Sequence, residues 1–235
     1  MVSRTKVQNT KASAQYDEGL RSHMLKIYNY MAVALVLTGV IAFGAASSPA
    51  LMQTIYGGPL KWVVMLAPLG IVIFLSFRIN KLSMPAAQIW FWLFAGTMGL
   101  SLSSIFIIYT GASITRVFFI TAGVFGSMSL WGYTTKKDLT GMGSFMFMGL
   151  IGIIIASVVN MFMQSSALHF AISIIGVLVF VGLTAYDTQK IKNMYSQIGS
   201  SSEAAGKAAI MGALTLYLDF INLMLMLLRL FGNRR

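Results

Sequence analysis

Two aspartates lie within or against the apolar part of this sequence, where ionisable side chains are rare. Asp187 ends one long uncharged stretch, and Asp219 falls near the middle of another. A carboxylate at the centre of a membrane helix costs about 2.5–3.5 kcal/mol on insertion scales. Such a residue is a candidate for function if a partner is present. Asp187 and Arg78 are the candidate partners of Asp219.

A pair of carboxyl groups offers two kinds of chemistry. Two acids a few ångströms apart resist ionising together and can share a proton, so the pair can respond to pH. When ionised, the same oxygens suit Ca²⁺, which is a hard cation. We therefore predict a pH-sensing ion gate made of Asp187, Asp219 and Arg78. The two aspartates are the candidate calcium ligands, and Asn222, three residues after Asp219 on the same helical face, could add an amide oxygen.

A structural role for the same side chains is the alternative. In that interpretation Asp187 lies in interfacial water, and Asp219 forms an ion pair with Arg78 that packs two helices together. Polar side chains do join helices within membranes. The sequence leaves both interpretations open.

The composition identifies the environment of these residues. Of the 235 residues, 57% are hydrophobic and 10% are charged, and the mean hydropathy is +0.78. Soluble domains carry about 25% charged residues, so this chain is predicted to be an integral membrane protein in a lipid bilayer. It has no cysteine, which excludes disulfides and thiolate metal sites. The net charge of +11 is spread over loops and termini, a pattern that does not favour binding to nucleic acid.

Uncharged stretches of about 20 residues mark the helices that can cross a bilayer core of about 30 Å. The predicted spans are 27–47, 62–77 with an extension past Arg78, 86–109, 117–135, 142–163, 167–188 and 208–228. The fold class is therefore an all-α bundle of seven transmembrane helices. It forms a single domain over 27–231, between a flexible N-terminal arm at 1–26 and a tail at 232–235.

The distribution of lysine and arginine predicts the orientation. With seven spans, the side that holds the N-terminus carries 12 basic residues and the other side carries 5. Because the more basic side faces the cytoplasm, the N-terminus is placed there. Arg234 and Arg235 fit this poorly, and a re-entrant last segment would make the count 15 against 2. Seven full spans are the prediction, and a re-entrant last segment is the alternative.

Three motifs lie near the ends or the middle of the last four predicted spans. They are Gly132-Tyr133-Thr134-Thr135-Lys136-Lys137-Asp138-Leu139, Thr184-Ala185-Tyr186-Asp187-Thr188-Gln189-Lys190-Ile191-Lys192 and Tyr217-Leu218-Asp219-Phe220-Ile221-Asn222-Leu223. Together they resemble the Bax inhibitor-1 (transmembrane Bax inhibitor motif) family. The stretch from Ser104-Ile105-Phe106 to Tyr109-Thr110-Gly111 is similar to the bacterial branch, and the likeness runs from about residue 25 to the end.

The resemblance implies a seven-helix bundle with the last helix near its centre, in a bacterial inner membrane. It also implies a pH-sensitive Ca²⁺ leak governed by an aspartate pair. That pair maps onto Asp187 and Asp219, and Arg78 is the match for the family's basic partner. No cofactor and no enzymatic activity are expected, and calcium is the ion carried. The polar insert at 196–207 departs from the family pattern and bears on regulation.

Two other functions compete with the leak channel. Intramembrane aspartyl proteases also carry aspartates on two neighbouring helices, but they need a Gly-x-Gly-Asp where Leu216-Tyr217-Leu218-Asp219 stands. The second competitor is a modulator embedded in the membrane, which binds a quality-control protease or another membrane partner without transporting ions. The family resemblance implies that role as well. Partner binding would use the N-terminal arm and lipid-facing helix surfaces rather than the aspartates.

Overall fold

The computed structural model describes residues 2–198 and 202–235, with side chains placed for 18–197 and 203–235. Among these residues no strand forms, and seven helices are long and apolar enough to cross a membrane, which confirms the predicted fold class. The helices that carry spans 1 to 7 are Val2–Ala46, Leu60–Arg78, Met84–Leu102, Gly111–Thr134, Thr140–Met163, Ser166–Ile198 and Ser202–Phe231.

Local sequence signals start several of these helices. Ser83 accepts a hydrogen bond from the backbone of Ala86 at the start of span 3, which also has a proline in its first turn. Thr110 caps span 4 in the same way, through the N–H of Ser113. Span 2 continues past Arg78 in a 3₁₀ turn at Ile79–Lys81, as its short apolar length predicted.

Span 1 begins before residue 27, where it was predicted to start. Residues 2–26 are continuous with it in one helix, Val2–Ala46. The flexibility of the arm at 1–26 stays a prediction. Leu20 and Met24 are buried in the core, so the packed part of the bundle begins before residue 27. The predicted boundary followed charge, but the charged residues at 18–26 occupy one side of a helix whose other side is apolar.

Span 7 is the centre of the bundle, as predicted. In its most apolar stretch 67% of the residues are buried, against 6% to 44% in the other spans. It packs against spans 1, 3, 4 and 6. Span 5 is the most peripheral helix, with 6% of its stretch buried, and it packs chiefly against span 6.

The chain ends on the far side of the bundle from the connections at 79–83 and 135–139. Asn233 accepts a hydrogen bond from the N–H of Thr110, and the N–H of Arg235 donates to Ile108, so the tail lies beside the end of span 3. Because span 7 runs unbroken from Ser202 to Phe231, it crosses the bundle fully and is not re-entrant. We call the side with 79–83 and 135–139 the basic end. Its placement in the cytoplasm stays a prediction.

Candidate functional site

Asp219 lies inside the bundle, in the middle of the central helix. Its side chain is 5% exposed, and its neighbours Tyr217 and Phe220 are buried as well. Its Oδ2 atom is buried, and no N–H or hydroxyl donor among the described residues reaches it. A buried acceptor without a donor costs free energy, and native structures keep few of them. This carboxyl is therefore a candidate for function rather than for packing.

Asp187 supplies the nearest polar group. It lies on span 6, is partly buried, and its carboxyl is in hydrogen-bonding contact with the carboxyl of Asp219. Because a carboxylate has no proton to donate, a hydrogen bond between two carboxyl groups requires a proton on one of them. The two carboxyl groups therefore lie close together, and such a pair can share one proton.

The pair forms part of the wall of a cleft of about 700 Å³ between spans 5, 6 and 7. Besides the two aspartates, its polar lining includes Ser144, Lys190, Thr215 and Asn222. Lys190 is exposed, interacts electrostatically with Asp187, and its Nζ lies 5.9 Å from the centre of the Tyr186 ring. The cleft thus places a cation, an amide and two hydroxyls around the aspartates.

Arg78 is not part of this cluster. It ends span 2, its side chain is exposed, and it does not line the cleft. Span 2 packs chiefly against span 3, and no ion pair joins Arg78 to either aspartate in the described part of the chain. The structure therefore brings together Asp187, Asp219 and Asn222 of the predicted residues, and it places Arg78 elsewhere.

Lys190 is the cation that the sequence interpretation missed. It stands three residues after Asp187, a spacing that puts two side chains on the same face of a helix. The signal was available in the 184–192 motif. The sequence instead favours Arg78 on another helix, because a long arginine side chain could reach toward Asp219.

Polar contacts on the other side of span 6 fix the turn that carries Asp187. The side chain of Gln189 accepts from the N–H of Leu139 at 2.9 Å and donates to the carbonyl of Lys137 at 2.8 Å, which ties span 6 to the 135–139 connection. Gly143 permits the close approach of span 5, because a Cβ there would collide with the ring of Tyr186.

A chain of hydroxyls fixes the same turn to spans 1 and 4. Thr188 donates its proton to the carbonyl of Thr184 at 2.7 Å. The 2.9 Å contact between Ser129 and Thr188 is therefore donated by Ser129, and the 2.6 Å contact between Tyr28 and Ser129 is donated by Tyr28. Asp187 is thus held in place from behind, while its carboxyl faces the cleft.

The cluster offers fewer oxygen ligands than a full calcium site needs. The described residues contain no group of three or more His, Cys, Asp or Glu side chains placed to hold a metal ion. Ca²⁺ takes 6–8 oxygen ligands. Two carboxylates and the amide of Asn222 would supply a minority of these, and water would supply the rest.

Known proteins are similar to this chain over most of its length. Residues 20–235 match the family model described as inhibitor of apoptosis-promoting Bax1. An uncharacterised protein of Rickettsia prowazekii is 52% identical, with 100% of each chain covered. The inner membrane protein YbhL of Escherichia coli is 53% identical over 92% of this chain and 94% of its own. An uncharacterised membrane protein of Streptococcus pyogenes is 33% identical over 93% of this chain and 96% of its own.

Proposed function

Because this chain belongs to the Bax inhibitor-1 family and is an integral protein of the inner membrane, we propose that it is a pH-sensitive calcium leak channel. The gate of this channel is the carboxyl pair of Asp187 and Asp219. The single observation that supports the proposal is the contact between these two acids, one of them 5% exposed, beside a cleft with polar walls.

The pair closes the channel while it shares one proton. A hydrogen bond from a carboxylic acid to a carboxylate is charge-assisted, and such bonds are roughly twice as strong as neutral ones. It therefore holds spans 6 and 7 together. The remaining negative charge also attracts Lys190, which lines the cleft and takes the role of cationic partner that was predicted for Arg78.

Acidification opens the channel in this proposal. A second proton makes both acids neutral, which weakens their hydrogen bond and removes the attraction to Lys190. The population of an arrangement in which spans 6 and 7 separate then rises. Ca²⁺ passing through would meet the oxygens of Asp187, Asp219 and Asn222, with water completing its shell.

Calcium influx into liposomes that contain the purified protein tests this function. We expect wild-type flux to increase as the pH is lowered between about pH 8 and pH 6, and we expect Asp187→Asn and Asp219→Asn to lose that dependence. An amide does not titrate, so neither variant can form the hydrogen bond in which two acids share one proton. Asp138→Asn is the matched control, because Asp138 is an exposed carboxylate in the 135–139 connection.

Two outcomes contradict the proposal. If both asparagine variants keep the wild-type pH dependence, the pair is not the gate. If the folded and inserted protein gives no flux above empty liposomes, the channel itself is wrong. The membrane-embedded modulator of a quality-control protease or another membrane partner would then be the function to test, and both asparagine variants should keep partner binding.

A further inference from the structure

Spans 1 and 4 both pack against span 7, but they do not pack closely against each other. A groove of about 680 Å³ lies between them. Phe220 of span 7 lies in it, beside Phe118 and Phe125 of span 4, each with its ring centre 5.5 Å from that of Phe220. A second cavity of about 250 Å³ continues toward the opposite end and shares Leu35, Phe118 and Phe220 with the groove.

The groove is apolar along most of its length and polar at its basic end. Its walls include small residues on both sides, Ala32 on span 1 and Ala122 and Gly126 on span 4. At the basic end it is lined by Arg21 and by the ring of Tyr133. This distribution matches an anionic amphiphile, because the groove is apolar along the helices and cationic at the membrane surface.

Basic side chains cluster beyond this end of the groove. The Nζ of Lys192 lies 5.2 Å from the centre of the Tyr133 ring and donates to the Tyr133 carbonyl at 2.7 Å. Lys136 and Lys137 are exposed in the connection that follows span 4, where Asp138 is the one acid. A negatively charged group at this position would be attracted by several cations.

We propose that the groove holds an acyl chain of an anionic glycerophospholipid from the surrounding bilayer, with the lipid phosphate bound at Arg21. The guanidinium of arginine matches phosphate with two parallel hydrogen bonds. Basic residues at the membrane surface favour anionic lipids over zwitterionic ones. This proposal does not depend on the calcium leak.

The size of the groove favours a lipid chain over a helix of another protein. Its 680 Å³ is within the range of small-ligand sites. A helix about 10 Å across would fill that volume with roughly one and a half turns, far short of a membrane span. A thin, flexible chain fits along the walls formed by Ala32 and Gly126.

The test uses the full chain in phosphatidylcholine vesicles doped with phosphatidylglycerol that carries a photoreactive acyl chain. We expect cross-links to concentrate on groove-lining residues of spans 1 and 4. The same probe built on phosphatidylcholine should label these sites less. Arg21→Gln should reduce the preference for phosphatidylglycerol about fivefold, the effect of one basic residue near an anionic surface. Arg116→Gln, at the other end of span 4, should leave the preference unchanged.

A pair of glycine variants tests the groove itself. Gly126 and Gly123 are both exposed on span 4 with open space around them, but Gly126 lines the groove and Gly123 does not. Gly126→Leu should reduce groove labelling to the phosphatidylcholine level, and Gly123→Leu should not change it. If Gly126→Leu fails to fold, Ala32→Leu fills the groove from the exposed face of span 1.

Three results overturn the proposal. They are equal labelling by the two lipid probes, labelling spread evenly over all lipid-facing helices, and groove labelling that persists when Gly126 or Ala32 is replaced by leucine. Displacement of the phospholipid probe by photoreactive palmitate, with the fatty acid bound in its place, would also overturn it.

Discussion

Two surfaces meet on span 7, and neighbouring residues face them. Asp219 faces the cleft between spans 5, 6 and 7, whereas Phe220 faces the groove between spans 1 and 4. Successive residues of a helix point about 100° apart, so one helix can serve two environments at the same depth. The cleft keeps a buried acid at a cost in stability, and the groove keeps an apolar wall open to lipid. The centre of this bundle is therefore divided between a face that carries ionisable side chains and a face that is open to lipid.

The largest effect expected is on stability, when a glycine is replaced by alanine at a contact between two helices and at a position in the open groove. A Cβ on Gly132 would collide with the backbone of Ala185, where span 4 crosses span 6 two residues before Asp187, whereas Gly126 in the groove has open space. Gly132→Ala should destabilise the protein by about 1–3 kcal/mol, because a backbone cannot move aside as a flexible side chain does. Gly126→Ala should stabilise it by about 0.5–1 kcal/mol through helix propensity. Unfolding in mixed detergent micelles measures the change in stability of both variants. Changes of the same sign in the two variants would contradict the comparison.

A second prediction concerns the hydroxyl chain that lies between the two surfaces. Tyr28 lines the groove, and Thr188 adjoins Asp187. Tyr28→Phe and Thr188→Val each break one link through Ser129, and such bonds in membrane proteins contribute roughly 0.6–1.7 kcal/mol. The double variant should cost less than the sum of the single variants, because either change interrupts the same chain. Strict additivity in the unfolding experiment would show that the hydroxyls act independently.

The fold was predictable from sequence because membrane helices depend on a simple physical requirement. A span needs an uninterrupted apolar stretch, and charges at both of its ends are visible in the chain. The start of span 1 was missed because Arg21 and Lys26 share a helix with the buried Leu20 and Met24. The charged residues therefore mark the membrane surface and not the point where the helix stops packing against the bundle.

The site was predictable in part for a related reason. An acid within an apolar stretch is conspicuous, so Asp187 and Asp219 were found, and the spacing placed Asn222 beside them. The choice of cation was not predictable in that way, since it depends on which helices touch. Span 2 packs against span 3, which leaves Arg78 away from the cleft, and the groove at Arg21 depends on two helices that do not pack closely against each other.

The third prediction compares the two candidate cations. Lys190→Gln should move the pH midpoint of calcium flux upward by a few tenths of a unit, because exposed charge interactions are worth about 0.2–1 kcal/mol. Its positive charge favours the form with one proton, so its removal lets the second proton bind at higher pH. Arg78→Gln should leave the midpoint unchanged. A shift in the arginine variant alone would restore the partner that the sequence predicted.

The smallest effect is expected when a residue of the groove is changed and the function proposed for the cleft is measured. Arg21→Gln removes the cation of the groove, but Arg21 does not line the cleft and makes no ion pair with either aspartate in the described part of the chain. Its charge is exposed and screened by salt, so the pH midpoint of calcium flux should not move measurably. Flux in phosphatidylcholine vesicles with and without phosphatidylglycerol, for wild type and for this variant, measures the connection. A shift as large as that of Lys190→Gln would mean that lipid bound against Phe220 alters the position of Asp219. The cleft and the groove would then be two faces of one regulated element, since a rigid central helix that moves for one ligand must move for the other.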